Sequence, residues 1–203
     1  MINTLIFDFG DVFINLEKQG SLQKTRRLLK IDALPKNLIK INEQYEKGLM
    51  NDSDFLSFYH SQFPWMNKNE LITLWNYIIK DFPLYRLEFL KNIAKSKRYK
   101  LILLSNTNNL HINYVKETVS FYEEFKNCFD WFFLSHEINL RKPDLNIYEY
   151  VLKTTNTVAE QALFIDDTKE NTKAAKQLNI KTWNINPETQ DVVTMFNDLK
   201  HLF

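Results

Sequence analysis

Short apolar runs recur along the chain: TLIFDF near the start, KLILLS at 100–105, WFFLS at 131–135, ALFID at 162–166 and IKTWNI at 180–185. Each has strand length and is rich in β-branched or aromatic side chains. None alternates strictly between apolar and polar, which is the pattern of strands buried on both faces. Helical spacing separates the last four. Asn108 to Val119 carries Leu110, Tyr114 and Val115 on a stripe; Asp144 to Thr154 carries Ile147, Tyr148, Val151 and Leu152; Lys169 to Leu178 forms a third such segment. Strand–helix alternation of this kind predicts an α/β fold, a parallel sheet with helices on both faces.

The stretch between the first two strands breaks that rhythm. Roughly residues 17–85 hold no convincing strand. Leu38, Ile41, Tyr45 and Leu49 share a helical stripe. Phe55, Phe58, Tyr59 and Gln62 follow the N-cap-like N-D-S, and Leu71, Leu74, Trp75, Ile78 and Ile79 follow the i, i+3, i+4, i+7, i+8 pattern. Asn67 with Glu70 three residues on reads as a capping box. A helical bundle over 17–83 is therefore expected as an insert into a sheet domain made of 1–16 and 84–203. Pro83 is expected in the first turn of the next helix, through Phe89 and Leu90. Hinges are expected near Asn15–Lys18 and Phe82–Leu84.

Composition narrows the class. The 203 residues carry a net charge of +1 and 44% hydrophobic residues. No charge excess points to nucleic acid or a membrane surface. No apolar run approaches bilayer length, and no leader-like N-terminus is apparent. The one cysteine, Cys128, sits among Phe125, Phe129, Trp131 and Phe132 and reads as a packed residue in a reducing, cytoplasmic protein. His60, His111, His136 and His201 are dispersed, without metal-ligand spacing.

In open parallel sheets ligands sit beyond the carboxyl ends of the strands. Polar residues recur there: Asp8 after the first strand, Ser105 and Asn106 after KLILLS, Lys142 shortly after WFFLS, and Asp166-Asp167 at the end of ALFI. Each alone is as well explained as a cap or turn residue. Together they have a chemical logic. Three acids brought close repel one another unless a cation joins them, and all-oxygen ligands suit magnesium. A metal and a lysine beside a carboxylate, a serine hydroxyl and exposed amides can bind a phosphate dianion and stabilise a transferring phosphoryl group.

Four motifs in order carry a family resemblance: FDFGDV at 7–12, LLSN at 103–106, RKPD at 141–144 with IY at 147–148, and FIDDTKEN at 164–171. Over nearly its whole length the chain resembles the haloacid dehalogenase-like hydrolases, with a Rossmann-like core and the family's type 1 helical cap. YEKGLMNDSDF at 45–55 is similar to a stretch found in its sugar-phosphate phosphatase branch. The resemblance implies a magnesium-dependent phosphatase of a small phosphorylated metabolite. In it Asp8 is nucleophile and metal ligand, and Gly10 offers a backbone carbonyl to the metal. Asp166 ligates directly, and Asp167 directly or through water. Ser105 and the Asn106 amide hold a phosphate oxygen, and Lys142 neutralises Asp8 and the phosphate.

One departure matters. Most phosphatases of the family carry a second aspartate two residues after the nucleophile, where this chain has Gly10. Loss of a general acid–base costs about 10²–10⁴-fold in rate. Asp11 is expected to point elsewhere. Two alternatives therefore stand beside the phosphatase: a metal-independent dehalogenase-type hydrolase, against which Asp166-Asp167 argue, and a phosphometabolite-binding protein with little turnover. In the insert, Glu46 and Lys47 could approach the substrate but read first as exposed helix charges. Trp75 reads as core, and Trp65 as the better pocket residue.

Overall fold

The computed structural model describes all 203 residues. Five parallel strands form the sheet: β1 (Thr4–Phe7), β2 (Lys100–Ser105), β3 (Trp131–Leu134), β4 (Ala162–Asp166) and β5 (Lys181–Asn184), in spatial order β3-β2-β1-β4-β5. β1 lies in the middle, with Phe7 level with Leu103 of β2 and Ile165 of β4. The chain leaves this central strand at Asp8, whose amide still donates to the Ile165 carbonyl at 2.9 Å. Successive side chains take opposite faces. Leu5, Phe7, Leu101, Leu103 and Leu163 join one core cluster, and Ile6, Ile102, Leu104 and Phe164 the other. Both faces are thus covered, which is why the strands lack polar alternation.

Helices α1 (Lys18–Leu29), α2 (Lys36–Glu46), α3 (Asp52–Gln62) and α4 (Lys68–Asn76) follow β1 and bury a third cluster of their own, around Tyr45, Phe55, Leu71 and Leu74. The Asn67–Glu70 capping box forms as expected. α5 (Leu84–Ser96) starts directly after Pro83 and returns the chain to β2. The remaining helices, α6 (Asn109–Thr118), α7 (Tyr122–Lys126), α8 (Ser135–Ile138), α9 (Leu145–Thr154), α10 (Lys169–Gln177) and α11 (Met195–Asp198), pack against the sheet and its ends.

Two expected stripes end early. α2 stops at Glu46 rather than running on to Leu49, which is 64% exposed. The cause is Gly48, at φ +66°, which turns the chain into the next helix. α4 stops at Asn76, and Ile79 instead faces Leu16 in an antiparallel bridge. The two connections between sheet and insert are paired through that bridge. Asn15 N donates to Asp81 O at 2.9 Å, and Glu17 N to Ile78 O at 2.8 Å. Buried Arg86 braces their base, donating to Phe13 O at 3.1 Å and Asn15 Oδ1 at 2.8 Å while its fork pairs with Asp191. No helix is long and apolar enough to cross a membrane. Cys128 is half-buried with its thiol on the Glu124 carbonyl.

The insert sits closely on the sheet domain. Ser135 Oγ donates to Glu46 O at 2.6 Å, Asn139 Nδ2 to Lys47 O at 2.8 Å and Asn109 Nδ2 to Asp52 Oδ2 at 2.6 Å. Gly48 is the tightest point: a Cβ there would lie 2.0 Å from the His136 carbonyl oxygen, at a φ that side chains already disfavour. Gly48→Ala is therefore expected to cost about 2–4 kcal/mol, the sum of left-handed strain and a displaced contact. In a chain of this size that lowers Tm by roughly 5–15 °C. A variant melting with the wild type would show that the 47–50 turn is not seated on His136.

Candidate active site

The four strand-end motifs meet. Asp8 is carried out of β1, Asp166 ends β4, and Lys142 arrives from the loop between α8 and α9. Lys142 is fully buried, and its Nζ lies 2.8 Å from Asp8 Oδ1, 2.7 Å from Asp166 Oδ2 and 2.7 Å from the Leu104 carbonyl. Burial works against its ammonium, and the charges of Asp166 and Asp8 more than offset this, so its pKa is raised. Asp166 is also fully buried, with Asn171 Nδ2 donating to both its oxygens and the Thr168 amide to Oδ1. Asn171, inside FIDDTKEN, thus fixes the orientation of that carboxylate.

Asn106 has a second role at the site. Its side chain is spent on the backbone of Lys142: Oδ1 accepts from Lys142 N at 2.9 Å and Nδ2 donates to Lys142 O at 2.8 Å. Its contribution through the side chain is to hold the lysine loop; its backbone amide is the part left for a ligand. Ser105, buried at the end of β2, lines a small cavity next to the main one, with Gly10 and Asn106.

The main cavity, about 450 Å³, is bounded by Asp8, Gly10, Glu46, Arg141, Lys142 and Asp167 among others. One oxygen from each of Asp8, Asp166 and Asp167 falls within 4.8 Å of the others. Asp8 is pushed up to about 7, first by burial and then by Asp166 and Asp167, with Lys142 opposing. Lys18, the first residue of α1, reaches in from the insert, pairing with Asp11 at 2.7 Å and with Asp167. Its own burial is more than offset by those two bonds, so its pKa too is raised. Four carboxylates thus face two ammonium groups. The remaining negative charge, on hard oxygen donors, fits a divalent cation such as magnesium.

Asp11 does point away from Asp8's cavity. It sits at φ 54° with Oδ1 accepting from the Leu16 amide at 2.9 Å and Oδ2 on Lys18. Gly10 faces Leu16, whose Cδ1 would lie 2.8 Å from any Cβ added at position 10. An apolar side chain thus occupies the space into which an acid at this position would project. Of the two insert charges, Glu46 is not a simple surface group: it lines the cavity and pairs with Arg141 at 2.6 Å. Lys47 instead pairs with Asp144 at 2.8 Å. His111 is stacked on Trp75 and lowered to about 4 by burial, with Nε2 on the Trp75 carbonyl and Nδ1 on Asn108. It is neutral and has no free nitrogen.

Trp75 packs against the insert's core as expected, while Trp65 lies outside it. Trp65 is 51% exposed, with its indole N–H donating to Leu28 O at 3.1 Å on the outside of the bundle. Trp75 lines an inner cavity of the insert. Helical stripe position told core from surface, but not a closed core from the wall of a chamber. Lys18 was missed because one lysine opening a polar helix carries no periodic signal.

A parallel sheet with a helical insert over its carboxyl edge, and acids and a buried lysine converging there, suits hydrolysis by an attacking carboxylate. Residues 5–185 match the haloacid dehalogenase-like hydrolase family, to which this chain belongs. It is 25% identical over 194 residues to the D-ribitol-5-phosphate phosphatase of Bacteroides thetaiotaomicron, covering 90% of this chain and 91% of that protein. It is 27% identical over 191 residues to the drimenol cyclase drtB of Aspergillus calidoustus, covering 90% of this chain but 34% of that larger protein. Among solved structures, an alanine variant of a family enzyme of Bacteroides thetaiotaomicron, in complex with magnesium and inorganic phosphate, superposes with a TM-score of 0.85 and 27% identity over 97% of this chain and 99% of that one.

Proposed function

We propose that the chain is a magnesium-dependent phosphatase that hydrolyses a small phosphorylated metabolite through an aspartyl-phosphate on Asp8. The observation that carries this is the convergence of Asp8, Lys142, Asp166 and Asp167 on one polar cavity. Magnesium would be held by Asp8, the Gly10 carbonyl, Asp166 and Asp167, and would supply charge neutralisation at the phosphate. The similarity to a polyol-phosphate phosphatase, and to a fold-mate bound to magnesium and phosphate, supports the same chemistry. The acid set weighs against a metal-independent dehalogenase, which has no use for Asp167 beside Asp166.

In this reading the Asp8 carboxylate attacks phosphorus, the ester P–O bond breaks, and the leaving oxygen departs as an alcohol after taking a proton from water. Lys142, Ser105 and the Asn106 amide hold the phosphoryl oxygens. Water then attacks the same phosphorus, the Asp8–phosphate bond breaks, and inorganic phosphate leaves. Gly10 can move no proton. Glu46 is the carboxylate that lines both this cavity and the insert's, and it pairs with Arg141. With Gly10 unable to act, we assign it as acceptor of the water proton. Residues 17–83 act as a cap that excludes water, and 1–16 with 84–203 as the catalytic core, in a cytoplasmic enzyme with no nucleic-acid or membrane partner.

The test is phosphate release from a broad panel of phosphometabolites, with and without magnesium. Turnover that needs the metal is expected. A folded protein that releases nothing from any member would leave only the binding-protein alternative that Gly10 suggests.

A further inference from the structure

The insert encloses a second cavity, about 250 Å³, between α1, α2, α3 and α4. Protein interiors seldom leave voids much larger than a water, and an apolar cavity of about 150 Å³ already takes a benzene. Leu22, Leu29, Leu34, Phe55, Leu71 and Trp75 dominate its wall. Its larger polar side chains are turned to protein partners. Tyr59 donates to Asn42 at 2.7 Å, Trp75 Nε1 to Asn108 at 3.1 Å, and both His111 nitrogens are engaged. The only charged residues in that wall, Lys18 and Glu46, are the two it shares with the catalytic cavity.

A narrower cavity of about 160 Å³ lies between the two and shares wall residues with both. That throat shares Ile78 and His111 with the insert cavity and Gly10, Leu16 and Asn106 with the catalytic cavity. Leu16 stands there beside Gly10, where a side chain would collide with it. A ligand held by its phosphate at Asp8 and Lys142 therefore meets leucine at the throat and an apolar chamber behind it. A polyol body would leave its hydroxyls facing leucine and aromatic carbon, losing hydrogen bonds to water without replacement.

Resting on the phosphatase reading above, we propose that the substrate is the phosphate monoester of a predominantly apolar alcohol, whose hydrocarbon body fills the insert cavity. Hydrolysis follows the balance already given: the ester P–O bond breaks, the alcohol keeps its oxygen and gains a proton, and water supplies the oxygen of the released phosphate.

The experiment measures kcat/KM with magnesium for ethyl, butyl, hexyl and octyl phosphate, for ribitol 5-phosphate, and for acetyl phosphate as a short, reactive reference. Each methylene buried is expected to raise kcat/KM about fourfold, equivalent to about 0.8 kcal/mol, until the chamber is full. Ribitol 5-phosphate is expected to fall below hexyl phosphate. Two substitutions on the α1 wall that fill the chamber, Thr25→Phe and Ser21→Leu, should each abolish the chain-length gain while acetyl phosphate turnover stays at the wild-type rate, which also shows that the variant is folded. Acetyl phosphate turnover with no dependence on chain length, or with the polyol ester preferred, overturns the apolar substrate and leaves the phosphatase standing. No turnover of any ester or of acetyl phosphate overturns the phosphatase reading itself.

Discussion

Asp8→Asn is expected to lower magnesium-dependent phosphate release by about 10⁴-fold or more, since loss of a covalent nucleophile removes the reaction path rather than slowing it. The amide keeps the size of the side chain and its place beside Lys142, so the fold should survive. In the metal-free protein it should even be favoured. Asp8 is held up to about 7 because burial and the neighbouring Asp166 and Asp167 outweigh Lys142. The folded chain therefore keeps the Asp8 proton more tightly than the unfolded chain, whose carboxyl titrates near 3.8. As pH rises through that interval the unfolded state ionises first, and the contribution of this group to stability is lost, fully so above about pH 7. Asp8→Asn has no such loss. Thermal melts without metal should show the variant matching the wild type near pH 4 and exceeding it at pH 8. Added magnesium should stabilise the wild type at pH 8 and move the variant little. Retained turnover in the variant would remove Asp8 from the chemistry. Equal pH profiles would mean that the carboxylates are better screened than their spacing implies.

What the chain reveals before folding depends on which physical signal each part carries. The central strands β1, β2 and β4 were visible because burial on both faces demands unbroken apolar runs, and Leu5, Ile6 and Phe7 are all within 1% of complete burial. Asp8, Lys142 and Asp166 were visible because a charged group at the end of such a run has to be caught by something. The sequence alone could not show what that something is, nor that the Asn106 side chain anchors the lysine loop. α1 was illegible for the opposite reason. It buries only Leu29 and so has almost no stripe, yet its first residue, Lys18, supplies one of the two ammonium groups at the acids. The apolar character of the throat was hidden too, because Leu16 meets Gly10 only through the turn that Asp11 makes at positive φ.

Lys142→Met carries the other large effect, and it separates stability from catalysis. The lysine is completely buried and neutralises two carboxylates while capping the Leu104 carbonyl. Methionine fills the volume but leaves Asp166, itself 0% exposed, with Asn171 and the Thr168 amide and no cation. Breaking a buried ion pair by removing one partner costs about 3–5 kcal/mol, because the charge left behind can neither be solvated nor paired. Tm without metal should fall by roughly 6–20 °C in a chain of this size. Excess magnesium should return much of that stability, since a divalent cation among Asp8, Asp166 and Asp167 restores the charge balance. Turnover should not return with it. The ammonium that faces the phosphoryl oxygens is gone, and losing one preorganised donor to a developing charge costs about 10²–10³-fold. Melts and steady-state rates, both recorded along a magnesium titration, test the two parts together. Recovery of both would reduce Lys142 to a charge filler, and a wild-type melt without metal would show that Asp8 and Asp166 do not depend on it.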